Sequence, residues 1–273
     1  MSGISLDVAA EVDRERRFGG VGRLYGPSAL PRLERAHACV IGVGGVGSWA
    51  AEALARSGVG RITLIDLDHV AESNINRQIH ALDTTLGQAK VEAMAARIRS
   101  INPEAVVATI DDFVTPDNAE ALIADFDVVV DAIDNVRAKV AIVLACRRRR
   151  IPLVVAGGAG GKTDPRSICV ADLSRTEQDP LLAKVRKRLR SEHGFPRNPK
   201  RPFGIEAVYS TEPLRLDGIA CDLPHGQQGL ACAGYGSSMA VTATVGLFAA
   251  ARAIERLLAV PVDACTETEE NPA

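Results

Sequence analysis

The chain has no C-x-x-C pair, no apolar leader, no excess of positive charge and no internal repeat. Each absence excludes a class of protein. The 6 cysteines among 273 residues are Cys39, Cys146, Cys169, Cys221, Cys232 and Cys265. Without paired spacings they indicate a reduced, intracellular chain rather than a disulfide-stapled one, and a zinc ribbon would lack both of its ligand pairs. The opening MSGISLDVAAEVDRERRF carries no apolar core, so no secretory signal is expected. Lys plus Arg number 32 and Asp plus Glu 34, a net charge of −2. That excludes a globally basic nucleic-acid binder but not a local basic patch. The long uncharged stretch 234–251 contains glycines and hydroxyl residues, ends at Arg252 and is followed by amphipathic RAIERLLA. It reads as a buried helix, not a membrane span, and the expected location is the cytoplasm.

What is present is ordinary globular composition, 47% hydrophobic and 24% charged, which rules out disordered, collagen-like and coiled-coil chains. After an N-terminal arm over residues 1–32, apolar runs alternate with helical periodicity. HACVIGV (37–43), RITLIDLD (61–68), AVVATI (105–110), DVVVDAI (127–133) and PLVVAGG (152–158) read as strands. SWAAEALARSG, QAKVEAMAARIRSI, PDNAEALIADF and VRAKVAIVLACRRR supply the helices between them. This alternation predicts an α/β fold, a doubly wound and mainly parallel sheet. In residues 166–260, SICVADL and GIEAVYS read as strands flanking a basic helical stretch, and a long apolar helix spans roughly 235–259. The expectation is one domain, with the nucleotide core at 33–165 and a disordered tail at 261–273.

Gly42-Val43-Gly44-Gly45-Val46-Gly47 follows the first strand and opens a helix. Such a loop permits a tight turn, lets phosphate approach backbone N–H groups and places it at the positive end of a helix. Asp66 lies 19 residues beyond Gly47, at the end of the second strand, where an acidic residue suits ribose hydroxyls. A dinucleotide-dependent dehydrogenase is the obvious reading of this fingerprint, and the next residues argue against it. Asp68-His69-Val70-Ala71-Glu72-Ser73-Asn74-Ile75-Asn76-Arg77-Gln78 is dense in donors for a polyphosphate. Lys90 adds a point charge, and Asp134, in DAIDN at the end of strand four, is placed to hold Mg²⁺. This set suits a triphosphate attacked at its α-phosphate, and a hydride carrier has no need of it.

The order G-x-G-G-x-G, LIDLDHV, SNINRQ, Lys90, DAIDN resembles the adenylating domain of the E1-like superfamily. Seven further segments, RFGGVGRLYG, NRQIHAL, LGQAK, DDFVTPDN, VAGGAGGKTDP, QDPL and YSTE, resemble its tRNA threonylcarbamoyladenosine dehydratase branch. The resemblance implies an E1-like adenylating fold with added C-terminal antiparallel strands, usually a homodimer. It implies that ATP activates the threonyl carboxylate of N6-threonylcarbamoyladenosine, at position 37 of tRNA, for cyclisation with loss of water. It carries ATP binding to Gly42, Gly44, Gly45, Gly47, Asp66, Asn74, Arg77, Gln78, Lys90 and Asp134, and their neighbours Asp68 and Asn135 are included in the expected site. Arg77, Lys90 and Asp134 are the expected catalytic groups. Related enzymes insert an arginine from the partner subunit at the γ-phosphate, for which Arg17 and Arg23 are candidates.

Two other functions compete. One is an adenylyltransferase that activates the C-terminus of a ubiquitin-like sulfur-carrier protein, against which the missing zinc cysteines weigh. The other is a nucleotide sensor, which would not need Arg77, Lys90 and Asp134 together. The segment 184–201 holds 8 basic residues and 1 acidic one. Lys184, Arg186, Lys187, Arg188, Arg190, Arg197, Lys200 and Arg201 are candidate tRNA contacts, with Phe195 or Phe203 free to stack on a base. Cys232, before the last helix, is either a small buried residue or a thiol taking an acyl or persulfide adduct from a sulfur-transfer partner. GGAGG (157–161) offers backbone to an anion or, through carbonyls, to a monovalent cation.

Overall fold

A computed structural model describes residues 12–198, 200–215 and 236–259. Cys232 and the tail 261–273 lie outside those residues. Two helices, α1 (Arg14–Tyr25) and α2 (Ala29–Arg35), lead into β1 (His37–Ile41). The alternation then runs α3 (Gly47–Arg56), β2 (Arg61–Ile65), α4 (Lys90–Ile101), β3 (Val106–Ile110), α5 (Ala119–Leu122) and β4 (Val128–Asp131). It continues through α6 (Val136–Arg149), β5 (Leu153–Ala156), β6 (Ile168–Asp172), α7 (Pro180–Glu192), β7 (Glu206–Ser210) and α8 (Met239–Ala259).

The sheet has 7 strands in the order β3-β2-β1-β4-β5-β7-β6. All pairs are parallel except β6 with β7, the antiparallel addition at one edge. The central strands are buried on both faces, which is why they read as continuous apolar runs. Successive side chains serve opposite cores. Ala38 and Val40 join one cluster with α3, α4 and α8; Cys39 and Ile41 join the other with α6 and α7. From Met239 the uncharged stretch is helix with one buried face: α8 lies across α3 and the sheet, and a Cβ at Gly246 would stand 2.4 Å from the Val46 carbonyl oxygen. No helix among the described residues is long and apolar enough to cross a membrane.

The N-terminal segment differs from the expected arm. From Asp13 onward it folds against its own chain, with Asp13 capping α1 through Arg16 N–H. Phe18, Ala29 and Leu33 are buried, and Phe18 packs on Gly58. Three glycines in α1 lower its intrinsic helix propensity and hid it from the sequence reading; burial of Phe18 outweighs them.

Candidate active site

The strand order reverses between β1 and β4, and ligands of such sheets bind at the carboxyl ends of the strands where it does. The glycine loop leaves β1 at that point. Gly42 has φ +84°, and a Cβ there would meet Ile133 at 2.7 Å. A Cβ on Gly47 would lie 1.8 Å from the Gly42 carbonyl oxygen. These two glycines therefore serve the turn and the contact between helix and strand. Gly44 is open by comparison, with the Gln78 amide nitrogen the nearest neighbour at 3.9 Å. The α3 N-terminus has no side-chain cap; Ser48 N–H donates to the Gly44 carbonyl at 3.1 Å, and the positive end of the helix meets the loop.

Asp66 fixes this loop from the end of β2. One carboxylate oxygen accepts from Val43 N–H at 2.6 Å and the other from Asp68 N–H at 2.9 Å. Burial pushes its pKa up, while Lys90 and the two N–H donors pull it down. Lys90 is buried and donates to Asp68 at 2.7 Å, so Asp68 tethers the ammonium beneath the loop. Asn74 is buried and holds its own turn by accepting from Ala71 N–H at 3.0 Å. Arg77 lies over Gly45, and among the described residues its guanidinium donates only to neutral acceptors, Ser73 O at 2.7 Å and Asn76 Oδ1 at 3.0 Å. Gln78 is buried, and among the described residues its carbonyl oxygen has no hydrogen-bond partner.

Asp134 and Asn135 divide two tasks at the mouth of β4. Asn135 caps α6, accepting from Arg137 and Ala138 N–H at 2.9 and 3.1 Å. Asp134 is exposed and has no hydrogen-bond or ionic partner among the described residues. No group of three His, Cys, Asp or Glu among those residues makes a closed metal site. One free carboxylate is nonetheless the donor set that Mg²⁺ takes when nucleotide phosphates and water complete its shell.

Four further polar residues are buried, and their enclosure carries no signal in the sequence. Lys139 and Asp131 form a fully buried ion pair at 2.9 Å. Asp131 also accepts from Ile133 N–H at 3.2 Å, bracing the chain that leads to Asp134. Burial pushes the Asp131 pKa up against the pull of Lys139. Asp179 accepts from Gly158 N–H at 2.8 Å and Leu182 N–H at 2.9 Å, fastening the start of α7 to the end of β5. His80 is buried, and among the described residues neither ring nitrogen has a hydrogen-bond partner. Burial, then Lys90 and Arg97, lower its pKa to about 4. Periodicity marks apolar faces, and a lone Lys inside VRAKVAIVLA carries no signal that its ammonium is enclosed.

The remaining candidates lie elsewhere. Arg17 donates to the Ile101 carbonyl at 3.0 Å, at the end of α4 that feeds β3, the opposite edge of the sheet from the glycine loop. Arg23 is exposed, near Glu15 at 3.5 Å. In the basic segment Lys184, Lys187, Arg197, Lys200 and Arg201 are exposed, while Arg186, Arg188 and Arg190 are half-buried. Arg188 is paired with Glu192 at 2.9 Å. Phe195 and Phe203 are not free to stack on a base. They are buried edge-to-face on each other, with centroids 4.9 Å apart, and Arg147 and Arg190 cover their rings. In the turn 157–161, the N–H groups of Gly157, Gly158 and Gly161 are all donated within the chain. Cys39 and Cys146 are core residues whose thiols burial pushes upward, Cys146 to about 12.

The ThiF family profile matches residues 20–271. A tRNA threonylcarbamoyladenosine dehydratase of Haemophilus influenzae is 49% identical over 257 residues, which span 93% of this chain and 98% of the relative. The Escherichia coli tRNA N6-threonylcarbamoyladenosine dehydratase, TcdA, solved in complex with ATP, superposes with a TM-score of 0.82 at 49% identity, covering 92% of this chain and 98% of that one. Its complex with AMP gives a TM-score of 0.81 at 50% identity, covering 91% and 98%. The chain belongs to the ThiF family and, within it, to the tRNA threonylcarbamoyladenosine dehydratases.

Proposed function

We infer that this chain is an ATP-dependent dehydratase that cyclises N6-threonylcarbamoyladenosine in tRNA by adenylating the threonyl carboxylate. The carrying observation is local: the glycine loop, Arg77, Gln78 and the unpartnered Asp134 converge at the β1–β4 switch point. They do so in a chain that matches a dehydratase along nearly its whole length.

A carboxylate is a poor electrophile until one oxygen becomes a good leaving group. In the proposed reaction the threonyl carboxylate attacks the α-phosphorus of ATP and pyrophosphate leaves. The carbamoyl group of the same nucleoside then attacks the activated carbonyl, a ring closes and AMP departs with one carboxylate oxygen. The net change is loss of water. Both reacting groups belong to one molecule, so effective molarity supplies the rate and no enzyme thiol is needed.

The N–H groups of Gly44, Gly45 and the start of α3 would receive phosphate oxygens, and Asp66 retains lone pairs for ribose hydroxyls. Among the described residues no carboxylate pairs with Arg77, and the Lys90 ammonium, held by Asp68, adds a second cationic group. Mg²⁺, when bound at Asp134, would offset charge on the phosphates. In the turn at 157–161 three of the five N–H groups are donated within the chain, which favours a monovalent cation at its carbonyls as the ligand there. A homodimer is consistent with Met239, Leu247 and Phe248 standing exposed on α8. In such a dimer Arg23 is the freer candidate to reach the partner's ATP, since Arg17 is held by Ile101.

The test is AMP release in the presence of tRNA bearing the modified nucleoside. Arg77→Ala and Asp134→Ala are each expected to slow it by ~10²–10³-fold, the usual loss on removing one group that stabilises developing charge. Near-full activity in either variant contradicts the assignment.

A further inference from the structure

A second cationic site lies on α7, away from the glycine loop. Ala183, Arg186, Lys187, Arg190 and Ser191 form one stripe of that helix, and with Arg197 from the following loop they line a concavity of about 340 Å³. The stripe follows from spacing, because positions three, four, seven and eight apart share a helix face. The opposite stripe, Leu181, Leu182, Val185 and Leu189, is buried in the core.

The four cations of this concavity lack what surface cations usually have. Among the described residues no carboxylate lies within ion-pair distance of Arg186, Lys187, Arg190 or Arg197. Arg188, one position along, has Glu192. Arg186 donates instead to the Thr176 hydroxyl, and Arg190 to the carbonyls of Pro196 at 3.2 Å and Ser174 at 3.4 Å. Arg190 also lies over the Phe203 ring, 5.3 Å from its centroid. Neutral acceptors and an aromatic face thus hold two half-buried guanidinium groups close enough to repel. Burial, then the Arg190 charge, pull the Arg186 pKa down, and Asp179 and Tyr209 only partly oppose them. The arrangement costs electrostatic energy in the free protein. A fork of fixed guanidinium donors matches the oxygens of a phosphate.

We propose that Arg186, Lys187, Arg190 and Arg197 form a built pocket for one phosphodiester of the tRNA backbone, set apart from the ATP site. This rests on the dehydratase reading, which supplies tRNA as the substrate. The placement is suitable. Asp179 ties the first turn of α7 to Gly158 at the carboxyl edge of the sheet. Arg186 follows seven residues later, ~10 Å along the helix axis. A strand whose modified base enters the mouth of β4 would therefore have a flanking phosphate within reach.

The experiment measures tRNA binding against salt for the wild type, Arg186→Gln/Arg190→Gln, and a control of equal charge, Lys200→Gln/Arg201→Gln. A phosphate pocket predicts that the first variant loses at least ~10-fold in affinity and that its salt slope falls by ~0.7–0.9 per phosphate contact removed, with a smaller loss in the control. Equal losses in the two variants would reduce the pocket to diffuse surface charge and overturn the proposal. Inorganic phosphate and pyrophosphate are added as competitors. Displacement of tRNA by either at millimolar levels in the wild type but not in the pocket variant supports the site. Tight binding of free pyrophosphate, with tRNA affinity unchanged by the substitutions, would assign the pocket to a small anion and overturn it as a tRNA site. Arg197→Gln, in the loop, keeps the test open if the double variant does not fold. Failure of the wild type to bind or dehydrate tRNA would refute the dehydratase reading itself. A wild type that does both, beside a pocket variant that matches the control, would refute only the pocket.

Discussion

At the scale of single residues, the site divides into groups that a sequence displays and groups that only a fold creates. Gly42 and Gly47 could be assigned from spacing because their roles are backbone roles, a left-handed turn and a contact with no room for a Cβ. Asp134 is the expected Mg²⁺ ligand; in the structure Asn135 takes the helix cap, and Asp134 has no hydrogen-bond or ionic partner among the described residues. His80 and Lys139 gave no comparable signal, since their character comes from what encloses them. His80 offers a direct check. Its pKa falls from 6.5 to about 4 on folding, so the unfolded chain takes up a proton that the folded chain refuses. Stability must then be fully present above pH 6.5 and decline as the pH drops toward 4, by at most ~1.4 kcal/mol per pH unit from this group. His80→Leu removes the titration. Denaturant unfolding across this range is expected to show a shallower acid decline in the variant than in the wild type, and parallel declines would show that His80 is not held neutral.

At the scale of elements, periodicity located the five core strands and the helices between them within a few residues, because buried parallel strands and amphipathic helices have distinct patterns. It failed where tertiary contacts outweigh propensity. α1 carries Gly19, Gly20 and Gly22 yet is a helix, because Phe18 is sealed against Gly58. The apolar stripe of α7 was legible from Leu181, Leu182, Val185 and Leu189. The burial of Phe195 and Phe203 was not, since an aromatic in a proline-rich basic loop looks like a nucleic-acid contact until the loop is seen folding back under Arg147 and Arg190. The start of α6 yields an element-scale prediction. Asn135→Ala should cost about 1 kcal/mol of stability, as loss of an N-cap does. Asp134→Ala should change stability by no more than ~0.5 kcal/mol, being exposed and unpartnered. Urea midpoints for the two variants decide the matter, and a larger loss for Asp134→Ala would return the cap to that residue.

At the scale of the molecule, sheet order places the chemistry. The reversal between β1 and β4 gathers a loop from residues 42–47, a turn from 66–78, Lys90 and Asp134 at one edge, although 92 positions separate the first from the last. The alternation of strand and helix made that edge legible in advance. The path of α8 across α3 was not, because it depends on Gly246 letting two backbones approach. The antiparallel β6–β7 pair carries α7 with it, and Asp179 hinges that helix to the same carboxyl edge. The first turn of the basic helix is thus tied to the edge of the sheet that carries the glycine loop. The most direct test of this account is the mass of the modified nucleoside recovered from tRNA after incubation with the protein, ATP and Mg²⁺. The account predicts that threonylcarbamoyladenosine becomes lighter by one water, with one AMP released for each nucleoside converted. An unchanged nucleoside mass, with AMP released only when a sulfur-carrier protein is added, would contradict it.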